Sequence, residues 1–311
     1  MAKHEYSAEN AERIRSSYAS KPIEEVFTRT ESASIDPLMS PIGLVFREAR
    51  DSENYPNSTP CIIGLDVTGS MGDIPKYMAT QKLPSMIEVS VAHGVKDPAI
   101  CFVAVGDHIS DEAPLQVGQF ESDEVNLNKC LTSVWIEQGG GGGYTESYFL
   151  VWLFAGKMTS IDCLEKRGKK GFLFTIGDEM THLTLSVAAQ QKIFGKGQYE
   201  EETAKGLLAQ AQEKYEVFHI HCTEGSKGSS SEVKEGWKKL LGQNLLILNH
   251  RENVSDLIAT TMALYEGEAD LATITAGFDT KTALAVTSAL AHVNGGAIVK
   301  KGASTTGIAK L

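Results

Sequence analysis

The sequence predicts an α/β protein: a doubly wound, mostly parallel six-stranded sheet with one antiparallel edge strand and helices on both faces. Two observations carry that expectation. Short runs that are apolar on both faces recur along the chain, as the central strands of a covered parallel sheet require. Segments of helical character lie between them, and strand–helix alternation is the pattern of a doubly wound sheet.

The elements follow in order. Residues 1–59 read as a polar N-terminal extension packed on the main domain, helical over 9–19 and interrupted by Pro22, Pro37, Pro41 and Pro56. Residues 60–267 form the main domain. Its strands are expected at 61–65, 99–105, 171–176, 217–222 and 245–248. Its helices are expected at 74–92, 124–136, 146–160, 201–215, 232–241 and 254–265. Residues 115–120 follow the second strand too closely for a crossover helix, so they pair antiparallel through a hairpin. Residues 268–311 carry +1 against −12 for the preceding chain, and hold one helical segment (280–292) before a Gly/Ser/Thr-rich tail that is mobile or docked.

Composition narrows the function. The 311 residues are 42% hydrophobic and 22% charged, as in ordinary globular domains. With 40 acidic against 29 basic residues the formal charge is −11, which argues against bulk nucleic-acid binding and not against a metal cation. No run of about 18 apolar residues exists, so no membrane span is expected. The polar start lacks a secretory signal. Cys61, Cys101, Cys130, Cys163 and Cys222 include no C-x-x-C pair, so free buried thiols and a cytoplasmic location are expected.

Ligands of open parallel sheets bind at the carboxyl ends of strands. Three such ends carry oxygen-bearing residues: Asp66-Val67-Thr68-Gly69-Ser70, Tyr144-Thr145-Glu146-Ser147 after the glycine run 139–143, and Gly177-Asp178-Glu179. Asp66, Thr68 and Ser70 can turn alternate side chains toward one point, and Thr145 and Asp178 can complete a shell of hard oxygen donors directly or through water. In this order and spacing the five residues resemble the metal-ion-dependent adhesion site (MIDAS) of von Willebrand factor A (vWA) domains, with Thr68 where the family more often has Ser. The resemblance covers about 60–267. It implies a six-stranded sheet whose third strand is the antiparallel edge, Mg²⁺ as the ion (Mn²⁺ or Ca²⁺ as alternatives), and an open coordination position that takes a partner's Asp or Glu. Residues 47–52, 57–60 and 113–117 further resemble uncharacterised bacterial and phage vWA proteins. Intracellular members of the family often act beside a MoxR-type AAA+ ATPase, so the implied role is non-enzymatic protein binding. A homo-oligomeric assembly component and a metal-dependent hydrolase are the alternatives.

Other chemistries fit less well. A dehalogenase-type phosphotransferase needs a carboxylate where Thr68 stands. The glycine run lacks the Gly-Lys-Ser/Thr of a P-loop, and no Gly-x-Ser-x-Gly elbow surrounds Ser70. Asp107, His108, Asp111 and Glu112 follow the second strand, either as a solvated acidic loop or as a rim or second cation site. His182 lies four residues after Asp178 and has no motif partner. His219 and His221 share a strand face that Cys222 does not, which points to packing rather than zinc. Trp135, Trp152 and Trp237 read as packing residues.

Overall fold

The computed structural model describes residues 6–19, 21, 23–27, 34–137, 143, 145–267 and 269–293. Its main sheet comprises β1 (Thr59–Asp66), β2 (Pro98–Val105), β3 (Leu115–Glu121), β4 (Gly171–Gly177), β5 (Tyr215–Cys222) and β6 (Leu245–Leu248), side by side in the order β6-β5-β4-β1-β2-β3. Every pairing is parallel except β2 with β3, which is antiparallel. This is the expected architecture. β1, β2 and β4 are buried along their whole length, which is why they read as apolar runs without alternation. The order runs outward in both directions from β1, so β1 and β4 diverge at the topological switch point.

The helices of seven residues or more are α1 (Ala8–Ala19), α2 (Met86–Ala92), α3 (Glu124–Thr132), α4 (Phe149–Lys157), α5 (Val187–Phe194), α6 (Ala204–Lys214), α7 (Ser231–Leu241), α8 (Val254–Glu266) and α9 (Thr280–Leu290), among the described residues. Adjacent strand residues feed opposite faces. Ile63, Leu65, Phe102, Phe174 and Phe218 pack with α8 and the 74–92 segment, whereas Ile62, Val103, Leu173 and Val217 pack with α4, α6 and α7. α4 is apolar nearly all round, and seven of its nine residues are buried, so it is a core helix rather than an amphipathic one.

Three expected helices differ. Residues 74–92 are not one helix but a turn at Ile74–Tyr77, a π-helical stretch at Met78–Lys82, a 3-10 turn at Leu83–Ser85 and then α2. Pro84 causes this, since it has no N–H to donate and its ring crowds the preceding turn. The helix expected from residue 124 ends at Thr132. The helix expected at 146–160 starts later and stops earlier. Thr145–Glu146 pair in parallel with Met180–Thr181, and Thr159–Ile161 pair in parallel with Arg47–Ala49. β-branched Thr145, Thr159 and Ile161 suit extended backbone. Two short helices not expected from the sequence are α5 and the six-residue helix Asp162–Arg167.

The segment before β1 lies against the domain: Ser7 N donates to Glu124 Oε2 (3.0 Å), Val117 N to Met39 O (2.8 Å) and Arg47 Nε to Gly118 O (2.9 Å). After the domain, α9 buries Val286, Ala289 and Leu290 in the same cluster as Leu246 and Leu248 of β6. The glycine run and the tail beyond 293 lie outside the described residues, apart from Gly143. All five cysteines are free and buried.

Candidate metal centre

Asp66 ends β1 with its side chain fully buried. Its Oδ1 accepts from Thr68 N (2.9 Å) and Thr68 Oγ1 (2.7 Å), a two-residue turn that the Asp-x-Thr spacing builds locally. Ser70 follows in the short turn Gly69–Met71, its Oγ 3.4 Å from Thr68 Oγ1. It donates to Asp178 Oδ1 at 2.7 Å. The parallel register sets Leu65 of β1 against Ile176 of β4, so the two strand ends, and with them Asp66 and Asp178, arrive side by side.

Partners that the sequence reading missed lock this arrangement. Tyr148, just before α4, donates its hydroxyl to Asp66 Oδ2. Lys227 N donates to Asp178 Oδ2 (2.7 Å), and Ser226 N to Ser70 O (2.9 Å), so the loop after β5 closes one side. Two glycines allow the close approach: a Cβ at Gly177 would overlap the Tyr148 hydroxyl, and one at Gly225 would overlap the Asp178 carboxylate. The available signal was positional, because the 223–228 loop follows a predicted strand at its carboxyl end.

Burial is the main force on the charges here. It pushes Asp66 up to about 7, against hydrogen bonds from Thr68 and Tyr148 and with help from the charge of Asp178. Glu146 rises to about 10, first through burial and then through Asp66 and Glu179. Its Oε2 is buried without a hydrogen-bond partner among the described residues. Glu179 rises to about 7 through burial and the neighbouring Asp178 charge. Carboxylate and hydroxyl oxygens gathered in this way, with the ionised forms of Asp66, Glu146 and Glu179 disfavoured, match the donor set of a hard divalent cation.

Thr145 stands in an adjoining cluster. Its Oγ1 is 3.3 Å from His182 Nδ1, and His182 Nε2 is 2.8 Å from Asp107 Oδ1. His108 completes the group, its ring edge-on to His182 with centroids 4.7 Å apart. The structure therefore joins Thr68 to Asp66 and Ser70 to Asp178 by hydrogen bonds, brings the two hydroxyl oxygens within 3.4 Å of each other, and ties Thr145 to the histidine at the neighbouring strand end.

Asp107 and Asp111 are not a solvated loop: only 6% and 3% of their surfaces are exposed. Asp107 accepts from Ile109 N (3.1 Å) and Ser110 Oγ (3.0 Å), and Asp111 Oδ2 accepts from Asp107 N (2.7 Å). Burial pushes Asp107 up, but His182 and the Ile109 amide outweigh it and leave the carboxyl below its usual range. Burial lowers His108 to about 4, helped by the His182 charge.

His219 and His221 are core groups. His219 stacks on Trp237 at 3.7 Å and meets Thr175 Oγ1 through Nδ1 (2.9 Å), while His221 Nε2 is 2.9 Å from Gly228 O. Cys222 belongs to the opposite face. Trp152 and Trp237 are fully buried.

No protein-family model matches the chain, and no curated protein matches it. Several solved structures are similar to it. Proximal thread matrix protein 1 from the mussel byssus is 11% identical with a TM-score of 0.43, over 66% of this chain and 48% of that one. A second structure of that protein, described as having a zinc-occupied MIDAS motif, gives 11% and 0.42 over the same shares. The pilus adhesin SpaC from Lactobacillus rhamnosus GG, in an open conformation, is 10% identical with a TM-score of 0.46, over 70% of this chain and 31% of that one. An aerotolerance-related membrane protein from Bacteroides fragilis is 13% identical with a TM-score of 0.39, over 66% and 98%. The chain thus spans about half the length of the mussel protein. Among the described residues, no helix is long and apolar enough to cross a membrane.

Proposed function

We propose that this chain is a metal-dependent protein-binding module. Asp66, Thr68, Ser70 and Asp178, joined by Thr145 directly or through water, hold a hard divalent cation, with Mg²⁺ the first choice and Mn²⁺ or Ca²⁺ the alternatives. The observation that carries this reading is the pairing of Thr68 with Asp66 and of Ser70 with Asp178 by hydrogen bonds, the two hydroxyl oxygens 3.4 Å apart, at the switch point of the sheet, half-buried at Ser70, buried elsewhere and built from oxygen donors alone. A cation held partly by neutral hydroxyls keeps an excess of positive charge and attracts an anionic oxygen. The ligand is accordingly an Asp or Glu side chain of a protein partner, and the role is non-catalytic. The vWA resemblance makes a MoxR-type AAA+ ATPase in the cytoplasm the first partner to test.

Calorimetric titration of chelator-treated protein with MgCl₂ is expected to reveal one site that Asp66→Ala lacks. Partner proteins retained by the wild type are expected to be released by EDTA and not retained by the variant. Equal Mg²⁺ binding by wild type and Asp66→Ala overturns the proposal.

A further inference from the structure

Beside the oxygen-only group stands a cluster of different chemistry. Asp107, His108 and His182 each offer one ligand atom, and these atoms lie within 4.8 Å of one another. His182 Nε2 is 2.8 Å and His108 Nδ1 3.8 Å from the same oxygen, Asp107 Oδ1. Around a zinc ion with bonds of about 2.0–2.1 Å, neighbouring ligand atoms are about 3.4 Å apart in a tetrahedral shell and about 3.0 Å in an octahedral one. The two separations bracket those values. We propose that Asp107, His108 and His182 bind a zinc-class divalent cation, in a second metal site adjoining the first and leaving at least one coordination position open.

The surroundings hold the three ligands in place before any ion arrives. Asp107 lies two residues past the end of β2 and is fixed by Ile109 N and Ser110 Oγ. His182 follows the paired Met180–Thr181 segment, and its amide donates to Glu146 O at 3.1 Å. Its second nitrogen, Nδ1, faces Thr145 Oγ1 at 3.3 Å, the kind of outer contact that orients a ligating imidazole. Ser147 Oγ lies 2.8 Å from His108 Nδ1 and 2.8 Å from His108 N. When the ring nitrogen turns to an ion, the serine oxygen still accepts from the amide. Side-chain exposures of 8% for Asp107, 9% for His108 and 14% for His182 leave a narrow way in from solvent.

Donor type separates the two sites. Imidazole nitrogen suits Zn²⁺ and Co²⁺, whereas hydroxyl and carboxylate oxygens suit Mg²⁺. Thr145 touches both sites, but Asp66 supplies nothing to the second, so Asp66→Ala tests the two assignments separately.

Tag-free full-length protein, stripped with chelator and held in excess Mg²⁺, is titrated with Zn²⁺, and with Co²⁺ while the visible absorption of the bound ion is recorded. One equivalent of Zn²⁺ and a Co²⁺ spectrum are expected in the wild type and in Asp66→Ala. His108→Asn and His182→Gln, which keep polar side chains and whose folding is checked by circular dichroism, are expected to weaken Zn²⁺ binding by more than about tenfold and to lose the spectrum. No Zn²⁺ binding by the wild type, or unchanged binding by both histidine variants, overturns the proposal and leaves an ordinary Asp–His hydrogen bond. Loss of Zn²⁺ in Asp66→Ala alone overturns it as well. Loss of Mg²⁺ binding by the wild type with Zn²⁺ retained removes only the functional reading above.

Discussion

At the amino end of β1, Asp51 and Asp162 face Arg50, Lys166 and Arg167. At its carboxyl end, Asp66, Glu146, Asp178 and Glu179 face hydroxyls, peptide amides and one another. The first group carries its cations with it: Arg167 Nη1 is 2.6 Å from Asp51, and Lys166 Nζ and Arg50 Nη1 are 2.6 and 2.8 Å from Asp162. Burial alone would raise Asp162, but Lys166, the Asp51 amide and Arg50 outweigh it and bring the carboxyl down to about 2. At the other end burial prevails, taking Asp66 and Glu179 to about 7 and Glu146 to about 10. Acids with built-in counter-charges are structural. Acids left to repel each other in a buried pocket favour a positive charge from outside.

The largest expected effect tests that outside charge. At a Mg²⁺ concentration 100 times Kd, a single site adds about 2.7 kcal/mol of stability. Thermal unfolding with and without Mg²⁺ is expected to show this gain in the wild type and none in Asp66→Ala. An equal gain in both would erase the distinction between the two ends.

Next comes pH. A carboxyl raised in the folded state holds protons that the unfolded chain has released. Asp66 and Glu179 therefore subtract stability as pH rises from about 4 to about 7, and Glu146 continues to subtract up to about 10. Asp162, lowered to about 2, works the opposite way: its contribution is complete above about 4 and is lost as pH falls toward 2. In EDTA the unfolding temperature is expected to decline from pH 5.5 to pH 8, and Mg²⁺ is expected to flatten or reverse that slope. A metal-free protein that grows steadily more stable over this range would contradict the pocket's electrostatics.

Tyr148→Phe sharpens the comparison at one atom. The hydroxyl is the donor to Asp66 Oδ2, and a hydrogen bond to a charged group is worth about 1.5–3 kcal/mol. Denaturant unfolding at pH 8 is expected to show a loss of that order together with weaker Mg²⁺ binding. Unchanged values for both would mean that Tyr148 does not position the carboxylate.

How much of this could be read from the sequence depended on range. Strands buried on both faces announce themselves as apolar runs, so the sheet and its antiparallel edge were legible, whereas Pro84 divided a segment whose composition read as one helix. Asp66, Thr68 and Ser70 were legible because a single local turn joins them, and Asp178 because it directly follows a strand. Tyr148 and Lys227 were not. One offers a hydroxyl from a helix start, and the other a backbone amide that any residue except proline could supply. The pairing of His182 with Asp107 spans 75 residues, which no local spacing encodes.

The smallest expected effect is at the amino end. Arg167 is 24% exposed and its partner Asp51 13%, and Asp51 keeps hydrogen bonds from Ser58 N and Oγ when the guanidinium is removed. Solvent screening and these remaining partners hold the cost of Arg167→Ala to about 1 kcal/mol. The informative part is what stays constant. Arg167 also donates to Ser58 O, next to the first residue of β1, so any strain it relieves would travel along that strand to Asp66 at the far end. A strand paired on both sides resists such a shift, and Mg²⁺ affinity in Arg167→Ala is therefore expected to equal that of the wild type. A changed affinity, measured by the same titration, would show that the ion-paired end tunes the open one.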